Sequence, residues 1–549
     1  MLRLLSIPLA LLILLIAAMA WSSSTADKRA DFTFVNRGDI ITLDLNQMSY
    51  LQDMRIAYGI WEGLYVYDPM TLAPIPGCAT GEVSADKKVW TFHINPNAKW
   101  SNGDPLTADD FIFAWRRMLE SPGEYTYLHY YIKGAEKYLN DFAEGKSPDF
   151  ATVGIKSPDP KTLVVTLENP VTFFLDLVAF PPFFPLHKQS MEKFARHDEK
   201  TGRVTYDPQF TRPPNLVTNG PFVLSRWDFK RRLILTRNPY YWNPQSVKSN
   251  TIEMAVVDDS LTQLLRYDSG LVDWVSAVPT ELAAELKVKG RPDLRSFTGF
   301  GTSYILFMSA PQFKNGKDNP LSDIRIRHAL AMAIDKKPIV ETITRMGEVP
   351  AVTFVPPNCF PGYQPQKGIE FNPQRAKELL AEAGYPNGGV LPGVTYLYRS
   401  DIPSSKEMAQ NLTRQWNEKL GLKIPLEAAE AKIRRQRAND KDFSILSADW
   451  IGDYGDPSTF TDMYQTHSDN NNSGWGSPVY DKLVFDAARE PDEQKRLRMI
   501  EKAESILLAE TPIVPLYYIT NQYLFRDNVH GINLNPRNMT MLKAVYVQR

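Results

Sequence analysis

The chain has 549 residues, more than one hydrophobic core ordinarily supports, so two or three lobes are expected. Lys and Arg total 62 against 63 Asp and Glu, a balance that excludes a basic nucleic-acid-binding surface or a strong field toward an anionic membrane. Hydrophobic residues at 43% and charged residues at 23% fit a globular protein; the 25 Tyr, 27 Phe and 11 Trp furnish either a large core alone or also the lining of an adaptable pocket.

In chain order, Arg3 precedes an apolar run from Leu4 to Ala20 and the polar stretch Ser22-Ser23-Ser24, with Ala18-Met19-Ala20 as a small-x-small site. This predicts a secretory signal peptide over 1–20, cleaved near Ala20; the alternative is an uncleaved N-terminal membrane anchor. No Cys near position 20 offers a lipid attachment point, and no later apolar run is as long. Cys78 and Cys359 are either bridged, as export permits, or two separate thiols. Trp90–Ile94 reads as an amphipathic strand and Ser101–Pro105 as a turn. Thr107 then caps a helix carrying Asp109 and Asp110 in its first turn. Lys161–Leu167 and Leu233–Thr236 read as strands. Ile326, Leu330, Ala333, Ile334 and Ile339 recur at helical spacing, so one helix is expected over Asp323–Arg345. Gln374–Ala383 reads as a helix capped by Asn372, opened by Pro373 and stopped by Gly384. Lys406–Leu420 is another, ended by Gly421, and Pro491–Leu508 a fourth with proline at its first position. The sum is an α/β chain of several lobes, without repeats or low-complexity tracts.

A search for catalytic chemistry returns little. No His-Glu-x-x-His helix, Gly-x-Ser-x-Gly elbow or phosphate loop is present, and the seven His do not fall at metal-ligand spacing. Gly299–Ser303 (GFGTS) is glycine-rich but lacks the rest of a dinucleotide fingerprint. These absences move the expectation from an enzyme toward a binding protein without metal or cofactor.

The stretch Val89–Arg117 (VWTFHINPNAKWSNGDPLTADDFIFAWRR) is more specific than a plain strand–turn–helix. It resembles the signature of the extracellular solute-binding proteins of family 5, in which Trp-Ser-(Asp/Asn)-Gly-x-Pro-(Leu/Val)-Thr-Ala-x-Asp-Phe recurs. Ile60–Leu64 (IWEGL), Thr218–Phe222 (TNGPF), Arg237–Trp242 (RNPYYW), Asp323–Lys336 (DIRIRHALAMAIDK), Asn372–Tyr385, Asp449–Phe460 (DWIGDYGDPSTF) and Ala509–Tyr518 resemble further family segments in the expected order. The resemblance covers nearly everything after about residue 35 and is greatest to the oligopeptide-binding branch.

It implies an α/β fold of the type II periplasmic-binding-protein kind, two lobes around a hinged cleft with an extra third domain. Domain I would comprise 30–61, 188–300 and 519–549, domain II 62–187 and domain III 301–518. It further implies a periplasmic monomer that captures short peptides and delivers them to the permease subunits of an ABC importer, without nucleic acid or cofactor. A binder of a nickel chelate, haem, sugar or opine on the same fold is the alternative, and an exported hydrolase a more distant one.

A pocket tolerant of peptide sequence must grip the constant ammonium and backbone. The resemblance assigns the ammonium to Asp453; local sequence alone would equally allow an Asp capping the turn before Gly455-Asp456-Pro457. Asp449, Trp450 and Gly452 flank Asp453, and the segments around Thr302–Ile305 and Ala448–Trp450 are candidates to pair with peptide backbone. Trp450 and Trp416 match tryptophans of the side-chain pockets, although Trp416 within a helix also reads as core. Tyr127 (or Tyr125), Tyr304 and Tyr517 complete the candidate ligand-binding set. The oligopeptide branch carries an Arg six residues before this Asp, at the ligand carboxylate; here that position is Ser447. Arg434, Arg435 and Arg437 lie upstream, either as a solvated basic face or as a replacement.

Overall fold

The computed structural model describes residues 28–36, 38–198, 203–360, 362–468 and 470–549; the leader expected over 1–20 lies outside them. Among the described residues no helix is long and apolar enough to cross a membrane.

Among the described residues, the two larger sheets are built from β1 (Phe32–Val35), β2 (Ala79–Val83), β3 (Val89–Ile94), β4 (Ile155–Asp159), β5 (Thr162–Thr166), β6 (Phe222–Asp228), β7 (Arg232–Arg237), β8 (Thr251–Ala255), β9 (Trp274–Val275), β10 (Leu294–Phe307), β11 (Tyr396–Arg399), β12 (Leu426–Ala429), β13 (Ile445–Ile451) and β14 (Ile513–Phe525). Ten form one mixed sheet in the order β6-β7-β8-β1-β9-β14-β10-β13-β11-β12; the antiparallel sheet β2-β3-β5-β4 stands apart. In that smaller unit Thr107 opens the helix Ala108–Glu120, and its backbone N–H donates to Asp110 Oδ2 at 2.8 Å.

β10 and β14 run antiparallel through the middle of the large sheet. Their register holds from Leu294↔Leu524 to Thr298↔Thr520, breaks, and resumes at Thr302↔Tyr518. The break falls on Gly299-Phe300-Gly301. A Cβ on Gly301 would lie 2.4 Å from the Trp450 carbonyl and one on Gly299 2.8 Å from Asn521 Nδ2, so the glycines serve close backbone approach.

The cores divide at the same place. One extensive core gathers Phe32, Trp61, Trp100, Trp115, Phe174 and Phe222. Past the register break, the alternation of the pleat along β10 sends Ile305 and Phe307 into a core with Leu330, Tyr396 and Trp416, and Tyr304 and Leu306 into another with Phe354, Phe460 and Tyr464. Arg549 at the chain end donates to the carbonyl of Ala30 at 3.1 Å, so the two ends of the described fold meet.

Two helices differ from expectation. Asp323–Arg345 is not continuous: an α-helix ends at Met332 and a π-helical segment follows over Ile339–Thr344. Pro338 lies between them; it supplies no N–H and disfavours helical backbone at Lys337. The last long helix spans Glu493–Glu510, with Asp492 accepting from the Lys495 N–H at 2.9 Å as its cap, so Pro491 stands just outside. Asn372 caps its helix as read, accepting from the Arg375 N–H at 3.0 Å. Cys78 and Cys359 are unbridged.

Candidate functional site

The site is built on β13. Leu446, Ala448 and Trp450 share one face with Tyr304, while Ser447 and Asp449 share the other with Ser303 and Ile305. One edge of β13 pairs with β10 from Ile445 to Ile451. On the other edge β11 pairs with Ile445 and Leu446 and then diverges. Among the described residues no strand covers that edge from Ser447 to Ile451. Such an edge is a template for an added extended chain.

Gly452 ends the strand. Its N–H donates to the Phe300 carbonyl at 2.8 Å, and a Cβ there would lie 2.1 Å from the Phe300 ring. The chain then turns and places Asp453, whose own N–H donates to Thr459 Oγ1 at 3.0 Å. Tyr127 donates its hydroxyl to Asp453 Oδ2 at 2.7 Å. Burial pushes the half-buried Asp453 carboxyl up to about 6, against the pull of the Tyr127 and Tyr125 hydroxyls. Among the described residues no Lys, Arg or His forms an ion pair with it. Arg537, on the same cavity, is engaged by Asp176 at 2.7 Å.

Asp453 lines a cavity of about 460 Å³ with Tyr50, Gln52, Tyr125, Phe300 and Arg537. Its partner Tyr127 lines a larger cavity of about 1490 Å³ with Tyr131, Trp450, Asp462 and Phe485. Segments far apart in sequence thus face each other across the cleft. Tyr131 donates to Asp462 at 3.4 Å, the Gly455 N–H donates to Asp176 at 2.9 Å, and Phe173 stacks on Tyr454 at 4.8 Å. Burial raises Asp462 to about 7, opposed first by the charge of Arg496. Arg496 is itself held bidentate by Asp456, both contacts at 2.7 Å.

The profile of the bacterial extracellular solute-binding proteins, family 5 (middle region), matches residues 73–472. This chain belongs to that family. The periplasmic oligopeptide-binding protein OppA of Salmonella typhimurium is 30% identical over 524 residues, 93% of this chain and 91% of that protein. The dipeptide-binding protein DppE of Bacillus subtilis is 32% identical over 475 residues, covering 84% and 81%. Among solved structures, Listeria monocytogenes OppA bound to peptide aligns with a TM-score of 0.74 at 28% identity, over 95% of this chain and all of the other. The fold is accordingly the type II periplasmic-binding fold.

The other residues singled out in this family 5 chain fall in different places. Trp450 is half-buried, lines the larger cavity and donates its indole N–H to the Thr459 carbonyl at 2.8 Å. Asp449 is exposed and Tyr517 half-buried, facing each other across Ser303. Two of them are buried. Trp416 is wholly buried inside a lobe, packed on Tyr396, with its indole N–H donating to the Leu330 carbonyl at 2.9 Å. Tyr304 is also buried, edge-on to Phe354 at 5.3 Å, and supports β13 from beneath. Both sit on inward faces of regular elements, where burial outweighs contact with solute.

Of the three arginines upstream, Arg435 pairs with Glu124 across the cleft at 3.3 Å and Arg437 with Glu427 at 2.5 Å. Arg434 is half-buried, and its Nε has no hydrogen-bond partner. Sequence reasoning missed Phe300, Asp176 and Arg537. Asp176 bonds to groups 279 and 361 residues away, and neither Asp176 nor Arg537 lies in a local motif that marks it.

Proposed function

We propose that this chain is the substrate-binding component of an ABC importer, capturing short peptides in the cleft and presenting them to a membrane permease. One observation carries the reading. Among the described residues Asp453 is a carboxylate without a paired cation, partly withdrawn from water, at the end of a strand edge that no other strand covers. A free amino terminus supplies the missing charge, and extended peptide backbone supplies the missing strand. The cavities beside Trp450 and Tyr127 take side chains, with water filling what a given side chain leaves. Asp449, Gly452 and Tyr517 shape the strand edge and its end.

The lobes of this reading are domain I (30–61, 188–300, 519–549), domain II (62–187) and domain III (301–518). The division of the cores at Gly299–Gly301 supports the boundary between I and III. Closure of III on I and II traps the ligand, and the closed shape is what the permease recognises. The protein acts as an exported, periplasmic monomer and performs no catalysis. The names of its relatives, periplasmic oligopeptide- and dipeptide-binding proteins, support this reading.

Calorimetry with tri-alanine tests it. Asp453→Ala lowers affinity by roughly tenfold or more, the loss expected for a charge-assisted bond. It leaves an N-acetylated peptide unaffected. Equal affinity of wild type and variant for the free-amine peptide removes Asp453 from the site. Mass spectrometry of ligand released from natively purified protein recovers intact peptides; cleaved products would favour a hydrolase.

A further inference from the structure

The β6–β7 hairpin carries an exposed aromatic side chain that the fold itself does not use. Its last strand pair is Asp228↔Arg232, and Phe229, Lys230 and Arg231 form the turn beyond it. The Arg231 N–H closes that turn on the Asp228 carbonyl at 3.0 Å. Phe229 is 68% exposed. Lys230 adopts the left-handed backbone, φ 55°, where glycine or asparagine is the ordinary choice. Its N–H donates to Asp39 at 3.2 Å, and its ammonium lies 5.7 Å from the Phe229 ring centre. Ile41, two residues beyond Asp39, is exposed as well.

The uncompensated charge at the tip has one sign. Asp228 is engaged by Arg226 at 2.9 Å and by Arg232 at 3.1 Å. Lys230 and Arg231 are exposed and form no ion pair among the described residues. The Arg212 guanidinium, stacked on Trp227 at 3.4 Å, adds another cation beside the hairpin. Cations on an edge strand discourage pairing with a second sheet, and β6 is such an edge. That role accounts neither for an apolar apex nor for a lysine in a conformation suited to glycine.

The tip also has a defined place. β10 and β14 join the cores on either side of the register break, and β6 is the strand farthest from them on its side of the sheet. β7 begins opposite Ala255, the carboxyl end of β8, so the tip lies at the end of the strands that faces the cleft. An edge remote from the crossing strands and an end turned to the cleft put the tip on the cleft's outer rim. A carrier that hands its ligand to a permease presents this rim to the membrane; that step rests on the function proposed above.

We infer that the turn Phe229–Arg231 is a contact for the anionic lipid surface beside the permease, with the ring at the headgroup boundary and the two cations on lipid phosphates. Aromatic rings favour that boundary, and Lys and Arg are drawn to its negative charge. The near-zero net charge supplies no long-range field, so the contact acts only at close range. Three turn residues cover far less than the roughly 800 Å² per partner of a stable protein interface, which favours lipid over a protein partner.

The test sediments the full folded chain with vesicles of phosphatidylcholine, alone or mixed in equal parts with phosphatidylglycerol. At low salt the wild type binds the mixed vesicles roughly twentyfold more tightly, about fivefold for each free cation. Salt at about 0.5 M removes the preference. Lys230→Gln combined with Arg231→Gln brings the two compositions within about twofold of each other. Phe229→Ser weakens binding to mixed vesicles about fivefold, and the fluorescence of Phe229→Trp shifts to the blue on mixed vesicles. Tri-alanine affinity, unchanged in each variant, is read separately, so failure of the peptide reading and failure of this inference are distinguishable. Equal binding of the wild type to both compositions overturns the lipid contact. So does a Phe229→Trp emission that does not move. Lost peptide uptake by the double variant in either case would place the tip on a protein surface instead.

Discussion

Asp453 shows what burial of one carboxyl does to a binding curve. Its pKa stands at about 6 against an ordinary 3.8, so between about 4 and 6 the unliganded folded chain holds a proton that the unfolded chain has lost. This group therefore favours folding below that window, and the benefit fades as pH rises through it. Binding an ammonium requires the ionised form. As pH falls below about 6, affinity for a free-amine peptide drops, reaching about tenfold weaker at pH 5 than at pH 7. At pH 5.5, calorimetry in buffers of different ionisation enthalpy registers proton release on binding, and Asp453→Asn flattens the pH profile. Trp416 makes the opposite case. Because it fills a core, Trp416→Ala costs about 3–5 kcal/mol in denaturant unfolding while leaving peptide affinity unchanged. A fall in affinity without a fall in stability would return Trp416 to the ligand.

Among elements, β13 and the turn after it depend on one glycine. Gly452 permits the Phe300 ring to pack against the backbone, and Gly452→Ala places a methyl inside that ring. The expected result is a loss of about 1–3 kcal/mol in stability and a marked loss of affinity, because Asp453 is displaced with the turn. Thermal melting and calorimetry on the same preparation check both. How far the elements were legible in sequence follows from what marks them. The Thr107 and Asn372 caps were legible because a cap is a local bond between residues a few positions apart. The motif Trp450-Ile451-Gly452-Asp453-Tyr454 located the turn, but not the bare edge beside it. That edge exists because β11 diverges after two residues, which is a property of the partner strand. The break before Ile339 is hidden in sequence because the apolar spacing continues across Pro338. The glycines at 299 and 301 stand out in the sequence, but their purpose lies in the close approach of Trp450 and Asn521, which no local pattern marks.

Across the whole molecule, several buried acids share the behaviour of Asp453. Asp53, Asp462 and Glu504 are each raised by burial to about 7, Glu504 in spite of four donors from Phe354, Val355, Tyr363 and Gln366. Each takes up a proton on folding between about 4 and 7, so the melting temperature of the unliganded chain declines as pH rises from 5 to 8. A melting temperature that rises over that interval would mean these groups are solvated. The cross-cleft contacts of Asp176 join three regions: Tyr67 and Arg537 donate to it at 3.0 and 2.7 Å, and Gly455 at 2.9 Å. Removing that carboxylate strands the buried Arg537. Asp176→Ala is therefore expected to cost about 3–5 kcal/mol by denaturant unfolding, with a matching loss of cleft closure by solution scattering.

The touching ends of the fold carry a practical corollary. Since the Arg549 guanidinium already rests on the Ala30 carbonyl, a short flexible linker can splice the described termini, and the chain can be reopened at an exposed loop tip. Reopened near one rim of the cleft, such a rewired molecule would carry fluorophores on either side of the ligand, turning lobe movement into an optical signal.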